Sequence, residues 1–410
     1  MHYQVATLST SEAKTALESA FINLDLALSQ HQLLWQEQPF VAEELTWFQS
    51  YPDLKEQLLA LSDQEAHTLH HHPQARQAWF QNQMPELFNA LYAYQPEPVA
   101  QHRPLHIGRF DHVGIPGRKW KQVLAFAHAL DEFDTPIIDW CSGKGHLSRI
   151  VQTNLKQPVH CLEWDKDLVE QGQELVRQAN LDVHYYHHDV LQALPEPLAQ
   201  SEYAHIALHA CGDLHLQLLH HVANSKASAL ALSPCCYQKT RHRIYQPLSA
   251  IAKDSQLVLD KAALQLAVQE TVTARHGEQQ QREQAQQWRL AFDALQREVR
   301  GSDTYLSIPS IRSSMLRTGF DAFCQWAASE KQLSLPDNID YAHYLHQGEK
   351  RYREVFRLEL LRQLFNRPLE LWLVLDRALY LEEQGYQVSL NSFCENTISP
   401  RNLLIRGRRS

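Results

Sequence analysis

The sequence lacks the features that would place the protein in a membrane or outside the cell. No run of about 20 apolar residues occurs, and the longest candidate, Leu369 to Leu381, is interrupted by charged residues, so no transmembrane helix is expected. Residues 1–14 lack a basic start followed by an apolar stretch, so no signal peptide is expected. The seven cysteines are odd in number and have no disulfide-framework spacing. Their pattern favours a reducing cytoplasm.

Positive charge is also scarce. The 47 acidic residues outnumber the 38 Lys and Arg residues, which gives a formal net charge of −9. A protein that holds nucleic acid through its overall field is usually basic, so RNA could be bound only through a local patch, and nothing points to DNA. Basic residues do cluster at 239–243 and 401–409, where they form either such a patch or an ordinary solvated surface.

The most informative pattern is an apolar strand, a loop of small residues and the start of a helix. It covers residues 137–147, with Asp139 closing the strand and Gly143 and Gly145 in the loop. Glu163 closes the next apolar stretch, 20 residues after Gly143. Glycines let the backbone approach a ligand, and an acid at this interval usually meets ribose hydroxyls. The pattern therefore predicts a nucleoside-binding, Rossmann-like domain.

The rest of the chain predicts an α/β fold with added helices. From Pro136 strand and helix patterns alternate, with further strands at 183–187, 206–208 and 229–232, which predicts a mainly parallel sheet. Two short segments at 388–393 and 403–405 are expected to pair and finish it. A length of 410 residues allows two or three units. We expect an N-terminal helical region at 1–104, a core at 105–260, a helical insertion at 261–350, and C-terminal helices and strands at 351–410.

Reactive residues follow the third, fourth and fifth predicted strands, where open α/β sheets carry their chemistry. The candidates are Asp189 and Val190 after the third strand, His209, Cys211 and Asp213 after the fourth, and Cys235, Cys236 and Tyr237 after the fifth. Asp189 could accept the amino group of an adenine or could cap a helix. Pro234 should end its strand and aim two thiols and a phenol into the cleft.

The cysteines allow three interpretations. A zinc site would use Cys211, Cys235, Cys236 and His209, but no Cys-x-x-Cys pair is present and adjacent cysteines rarely share one ion, so no metal is expected. A nucleophilic thiolate could attack a pyrimidine ring before methylation. The thiols could instead only pack as small buried groups, with His209 or Asp213 accepting a proton.

These strand-end motifs resemble those of class I S-adenosylmethionine-dependent methyltransferases. More narrowly, residues 139–146, 208–213 and 233–237 are similar to the family that includes the methyltransferase domain of the glutathione S-transferase C-terminal domain-containing protein. The last two segments also loosely resemble tRNA 2′-O-methyltransferases, where a histidine stands in place of Tyr237. Cys141 departs from the superfamily pattern, which has glycine there. The resemblance implies a Rossmann-like, mostly parallel sheet with an antiparallel last strand.

The resemblance also implies a role for each motif. The loop from Cys141 to Gly145 would pass beneath the methionine part of S-adenosylmethionine, with Asp139 attracting its ammonium group. Glu163 would bind both ribose hydroxyls, and Asp189 and Val190 would flank the adenine. The residues expected to bind the cofactor are Asp139, Cys141, Gly143, Gly145, Glu163, Asp189, Val190 and His209. Those expected to be catalytic are His209, Asp213, Cys235 and Tyr237.

The predicted function is methyl transfer to a macromolecule, with RNA favoured over protein, because small-molecule enzymes seldom need large helical additions. The alternative is a scaffold that binds the cofactor without turnover, since the Asn/Asp-Pro-Pro-Tyr signature of many amino-group methylases is absent. A nicotinamide-dependent dehydrogenase shares the Rossmann pattern. The cysteines after the fifth strand and the Cys-Ser-Gly-Lys-Gly loop argue against it. The acceptor atom and the oligomeric state do not follow from the sequence.

Overall fold

A single seven-stranded sheet organises the α/β part of the chain. The computed structural model describes residues 15–99, 104–109, 111–196, 198–199, 202–269 and 276–409. The strands are β1 Ile137–Trp140, β2 Val159–Glu163, β3 Val183–His187, β4 Ala204–Cys211, β5 Ala229–Cys235, β6 Tyr386–Ser392 and β7 Leu403–Arg409. They lie in the order β3-β2-β1-β4-β5-β7-β6.

The first five strands are parallel, and β7 runs antiparallel to both of its neighbours, β5 and β6. The carboxyl ends of these five strands therefore lie at the same edge of the sheet. Those of β1, β2 and β3 lie on one side of the boundary between β1 and β4, and those of β4 and β5 lie on the other. The order reverses between β1 and β4, which is where open α/β sheets bind ligands. The expected fold class and the pairing of the two terminal strands are confirmed.

Some helices belong to the same compact unit as the sheet, and others form a second unit. Their bounds are α1 Ala16–Gln30, α2 Gln32–Gln36, α3 Trp47–Ser50, α4 Pro52–Ala60, α5 Asp63–His71, α6 Pro73–Gln83, α7 Pro85–Leu91, α8 Gly117–His128, α9 His146–Leu155, α10 Lys166–Ala179, α11 Asp213–Asn224, α12 Ala250–Lys253, α13 Lys261–Leu266, α14 His276–Arg300, α15 Phe320–Glu330, α16 Tyr341–Leu364 and α17 Asn366–Glu383. A short 3₁₀ helix spans Met315–Arg317.

Three of these helices begin directly at the strand ends that carry the predicted site. Helix α9 follows Gly145, whose φ of 64° no ordinary L residue adopts readily. Asp165 caps α10 by accepting hydrogen bonds from Asp167 N and Leu168 N. Helix α11 begins at Asp213 immediately after β4. Each of these helices leads the chain back along the sheet, so the turn that precedes the helix lies at the carboxyl edge.

The chain divides into two compact units. The first consists of residues 1–29, 90–268 and 368–410 and contains the sheet, whose core includes Phe126, Ile137, Val159 and Ile206, all buried. The second consists of residues 30–89 and 269–367. Its core includes an aromatic cluster of α14 and α15 in which Trp288 lies 5.5 Å from Phe323 between ring centroids.

Three of the segments expected from the sequence, 1–104, 261–350 and 351–410, each contribute to both of these units. The boundaries drawn at 104, 260 and 350 stay a prediction about domains. Within the described ranges, every helix is too short or too polar to cross a bilayer.

Candidate functional site

The glycine loop after β1 is held in an unusual conformation by contacts to β2. Cys141, Gly143 and Gly145 have φ values of 57°, 58° and 64°, in the left-handed region. Ser142 N donates to the carbonyl of Leu162 at 3.1 Å, and Gly143 N donates to Glu163 Oε2 at 2.8 Å. A Cβ on Gly143 would meet no atom within 4 Å, so the space above this glycine is open. The loop therefore presents bare backbone beside the Glu163 carboxylate.

Glu163 ends β2 with both carboxylate oxygens in use. Its Oε1 accepts from Asp165 N at 2.9 Å, while Oε2 accepts from Gly143. The side chain is only half-buried, and each carboxylate oxygen can accept a second hydrogen bond. The carboxylate is thus preorganised by backbone donors and still able to accept from ligand hydroxyls.

Asp139 lies deeper than a residue that meets a ligand directly. Only 2% of its surface is exposed, and one oxygen accepts from the Ser148 hydroxyl of α9 at 2.5 Å. Burial raises the pKa of Asp139 to about 7, and the nearby negative charge of Glu163 adds to the effect. Asp139 and Glu163 are therefore neighbours at one loop, but Glu163 presents the more accessible carboxylate.

The end of β3 carries the predicted adenine contacts. Asp189 Oδ1 accepts from Leu191 N at 3.0 Å, which forms a local turn. No helix begins at the described residues 189–196, so the helix cap weighed from the sequence is wrong. Its negative charge also contributes to the raised pKa of Cys141, so Asp189 lies near the glycine loop. Val190 is 4% exposed and offers a ligand mainly its backbone.

Sequence reasoning missed Trp164, the residue directly after Glu163. Its side chain is 69% exposed, which is exceptional for a tryptophan, and its ring lies 6.4 Å from that of His187. An exposed aromatic ring at the end of β2 is a stacking surface for a base. Its position directly after Glu163, the acid expected to meet ribose hydroxyls, was a usable signal in the sequence.

His209 lies in an irregular part of β4. The register with β5 shifts between Leu208 and Cys211, and His209 has a φ of 65°. The bulge turns its ring toward α8, where Nε2 lies 3.2 Å from Gln122 Oε1. Burial, with the charges of Arg401 and Lys119, lowers the pKa of His209 to about 4, so the imidazole is neutral near pH 7. Gln122 was not anticipated from the sequence.

Asp213 fixes the loop after β5 to the start of α11. Its Oδ2 accepts from Arg241 N at 2.9 Å, and its backbone N donates to the carbonyl of Lys239 at 3.1 Å. Its other oxygen, Oδ1, is buried and accepts no hydrogen bond from the described residues. Asp213 therefore has a structural role, with one acceptor oxygen to spare.

Tyr237 is not aimed into an open cleft, and that expectation is wrong. The residue is 2% exposed, with its ring 5.9 Å from that of His215 and 4.9 Å from the Arg377 guanidinium carbon. Burial raises the pKa of Tyr237. The reason is that Cys236, with a φ of 49°, turns the chain so that the phenol points back toward α11 and α17.

The cysteines of β4 and β5 do come together. Cys211 and Cys235 are paired in register, with their Sγ atoms 3.5 Å apart. The Sγ atoms of Cys211, Cys235 and Cys236 all lie within 4.8 Å of one another. Cys235 is 4% exposed, so this thiol does not line an open cleft as expected, whereas Cys211 and Cys236 are half-buried.

Positive side chains lie near the same edge. Lys119 of α8 lowers the pKa of both His146 and His209, so its ammonium group lies near both rings. Lys144 of the glycine loop also acts on His146, and Lys239 acts on Cys211. Lys119 and Lys239 are exposed. These lysines lie at the edge that also carries the carboxylates of Asp139, Glu163 and Asp189, in a chain of net charge −9.

Residues 118–243 match a family model described as a methyltransferase domain. The match begins in α8, includes β1 to β5 and ends in the loop after β5. It therefore contains the glycine loop and all of the predicted site residues. The narrower resemblance to the glutathione S-transferase C-terminal domain-containing protein stays a prediction.

Several solved structures are weakly similar. One is an O-methyltransferase family protein from Burkholderia thailandensis, at 11% identity over 96% of this chain and 95% of that one, with a TM-score of 0.27. Another is the 23S rRNA methyltransferase ErmE, at 13% identity over 59% and 98%, with a TM-score of 0.24. A protein assigned as a sarcosine dimethylglycine methyltransferase from Galdieria sulphuraria has 14% identity and a TM-score of 0.23.

The match to the Galdieria protein covers 38% of this chain, and this chain spans only 58% of the length of that protein. At these identities and TM-scores the solved structures add nothing to the assignment. The family match and the strand order of the sheet together indicate a methyltransferase domain within residues 118–243.

Proposed function

We propose that this protein transfers the methyl group of S-adenosylmethionine to RNA. The observation that carries the proposal is that Lys119, Lys144 and Lys239 approach the carboxyl edge of the sheet from three separate segments. Lysines at these positions can pair with the phosphates of a polyanion that is bound locally, although the chain as a whole is acidic. All seven cysteines are unpaired, which supports action in a reducing compartment such as the cytoplasm.

The donor is held, in this proposal, by backbone and carboxylates rather than by positive side chains. Glu163 accepts from the ribose hydroxyls, because its carboxylate is fixed by Gly143 and Asp165 and is half-exposed. The open space at Gly143 admits the methionine part against the loop backbone. Trp164 and Asp189 hold the adenine by stacking and by accepting from its amino group. Asp139 acts on the ammonium group through its buried negative charge.

The bound donor supplies an activated methyl group, and the chain aligns the acceptor with it. Such alignment can be worth about 7–11 kcal/mol of the barrier. Where the acceptor begins protonated, the neutral His209 is the group we assign to receive the proton. RNA phosphates that pair with Lys119 would offset the charge that lowers the pKa of His209 and so strengthen it as a base.

The first test is donor binding. Isothermal titration with S-adenosylmethionine is expected to give one site per chain in the wild-type protein. Trp164→Ala should weaken binding by about 1–3 kcal/mol, the usual worth of a base stacked on an aromatic ring. Val258→Ala is the control, because Val258 is a comparably exposed apolar residue, 58% exposed, outside the strand-end loops. Equal affinities for these two variants would remove Trp164 from the site.

The second test identifies the acceptor. Protein incubated with methyl-labelled donor and lysate from a strain lacking this gene should label material that ribonuclease removes and protease leaves intact. Glu163→Ala should abolish the labelling. Label confined to protein or small molecules would overturn RNA as substrate. Absence of any label, with donor binding intact, would favour the scaffold alternative.

A further inference from the structure

The three thiols at the ends of β4 and β5 form a cluster that has no part in the function proposed above. Cys211 and Cys235 reach it from paired strands, and Cys236 follows directly. Their Sγ atoms all lie within 4.8 Å of one another. Three thiolates bound to one zinc ion at about 2.3 Å each would lie roughly 3.8 Å apart, so the cluster needs only small adjustments to hold one ion.

The backbone is shaped to bring these side chains together. The register shift before Cys211 and the positive φ of His209 re-aim the end of β4, where β-bulges commonly redirect side chains. Cys236 has a φ of 49°, which turns its thiol back toward Cys211 although it is adjacent to Cys235. Lys239 N donates to the carbonyl of Cys236 at 2.8 Å, which closes that turn. Adjacent cysteines seldom share an ion because their side chains diverge, and here the turn removes that obstacle.

The turn is also locked against the preceding strand. Gly212 N donates to the carbonyl of Cys235 at 3.1 Å, and Asp213 N donates to that of Lys239. Gly212 has a φ of 54°, and a Cβ there would overlap the Lys239 carbonyl oxygen. The two loops therefore approach each other more closely than any residue other than glycine at position 212 would allow. This close approach sets the spacing of the thiols.

We propose that Cys211, Cys235 and Cys236 bind one Zn²⁺ ion as three thiolates, with a fourth position left for water or a ligand. Soft thiolates select zinc over the hard cations magnesium and calcium. Binding replaces the three S–H bonds by three Zn–S bonds and releases the thiol protons to solvent. Cys235 is buried and the other two are half-buried, so the ion would be enclosed on one side and open on the other. The proposal does not depend on the identity of the methyl acceptor.

The test uses full-length protein, reduced and freed of metal. Titration with Zn²⁺ against a chromophoric chelator should give one equivalent per chain. Cys236→Ser should weaken binding by more than the ~10–100-fold typical of losing an outer-shell partner. Cys394→Ser is the matched control, because Cys394 is a half-buried cysteine outside the cluster. Its affinity for Zn²⁺ should equal that of the wild-type protein.

Cobalt substitution gives a readout that needs no variant. Co²⁺ added to the wild-type protein should produce thiolate-to-cobalt charge-transfer absorption that added Zn²⁺ abolishes. Less than stoichiometric Zn²⁺ binding by the reduced protein, no such absorption, or full affinity in Cys236→Ser would each overturn the proposal. So would isolation of the protein with Cys211 and Cys235 joined in a disulfide that reduction does not convert into a metal-binding form.

Discussion

The two glycines of the loop after β1, Gly143 and Gly145, serve different purposes in the structure. Both have positive φ, yet a Cβ on Gly143 would meet open space, whereas one on Gly145 would overlap the Tyr185 hydroxyl. Gly172 of α10 faces the same phenol just as closely. Gly143 therefore faces open space, and Gly145 lets the loop lie directly on Tyr185 of β3.

Alanine substitutions at the two glycines should have different effects on stability. Gly143→Ala should cost about 1–2 kcal/mol of unfolding free energy, because a left-handed residue gains a Cβ. Gly145→Ala should cost a further 1–3 kcal/mol or so, since overlap with Tyr185 forces the loop to shift. Urea unfolding of the two variants measures the difference. If both lost the same stability, Tyr185 would not constrain the loop.

Asp139 gives the protein a pH-dependent stability whose sign follows from its burial. The pKa rises from its ordinary 3.8 in the unfolded chain to about 7 in the folded one. The folded state therefore holds more protons between these values, and stability falls as pH rises from about 4 to 7. At 1.36 kcal/mol per pH unit the loss is about 4 kcal/mol.

Asp139→Asn should remove that loss, because an amide keeps the hydrogen bond from Ser148 and never ionises. Urea unfolding should show the variant gaining about 3 kcal/mol more on the wild-type protein at pH 8 than at pH 5. Affinity for S-adenosylmethionine should fall at pH 8, because the proposed attraction between the ionised Asp139 and the ammonium group of the donor is lost. A constant difference between the two proteins at both pH values would contradict the raised pKa.

At the scale of elements, helix α17 organises the segment after β5 through one carboxylate. Asp376 is fully buried and accepts from the Tyr245 hydroxyl at 2.6 Å, from Ser249 N at 2.8 Å and from the Ser249 hydroxyl at 2.7 Å. Leu248 N donates to it as well. The chain that leaves the thiol cluster is thus held to α17 before α12 begins.

Asp376→Asn should destabilise the protein by about 3 kcal/mol or more, because an amide cannot accept all these donors and buried donors lose their partner. Glu383→Gln is the control on the same helix. Glu383 is exposed and accepts from Ala250 N, so its loss should stay within about 0.5 kcal/mol. Thermal unfolding of both variants checks this, and equal shifts would refute a special role for Asp376.

At the scale of the molecule, RNA binding should depend steeply on salt although the chain is acidic overall. Each phosphate neutralised on a single strand contributes a slope of about −0.7 to the plot of log affinity against log salt. Lys119→Glu and Lys239→Glu should each weaken binding and flatten that slope by about 0.7. Lys253→Glu, a basic residue of α12, should change neither. Filter binding across a salt series measures all four proteins, and identical slopes would contradict a phosphate contact.

The sequence predicted the sheet better than it predicted the site. The periodicity of apolar residues and the spacing of glycines and acids reveal the strands, the glycine loop and Glu163, because these are local signals. The burial of Asp139 depends on Ser148 of α9, and the spacing of Cys211 and Cys236 depends on β4 lying next to β5. Such contacts join distant parts of the chain, so no local pattern contains them.

The insertion of β7 between β5 and β6 affects how the protein is made. In the described sheet β6 pairs along its length with β7, which comes later in the chain, and Ser392 at its end also forms a bridge to Pro98. A nascent polypeptide that has emerged as far as Ser392 thus has a strand that lacks its main partner and an open edge at β5. Parallel pairing between the two is the natural error at that stage, so synthesis of the last strand at an undisturbed pace protects the nascent protein from a misfolded sheet.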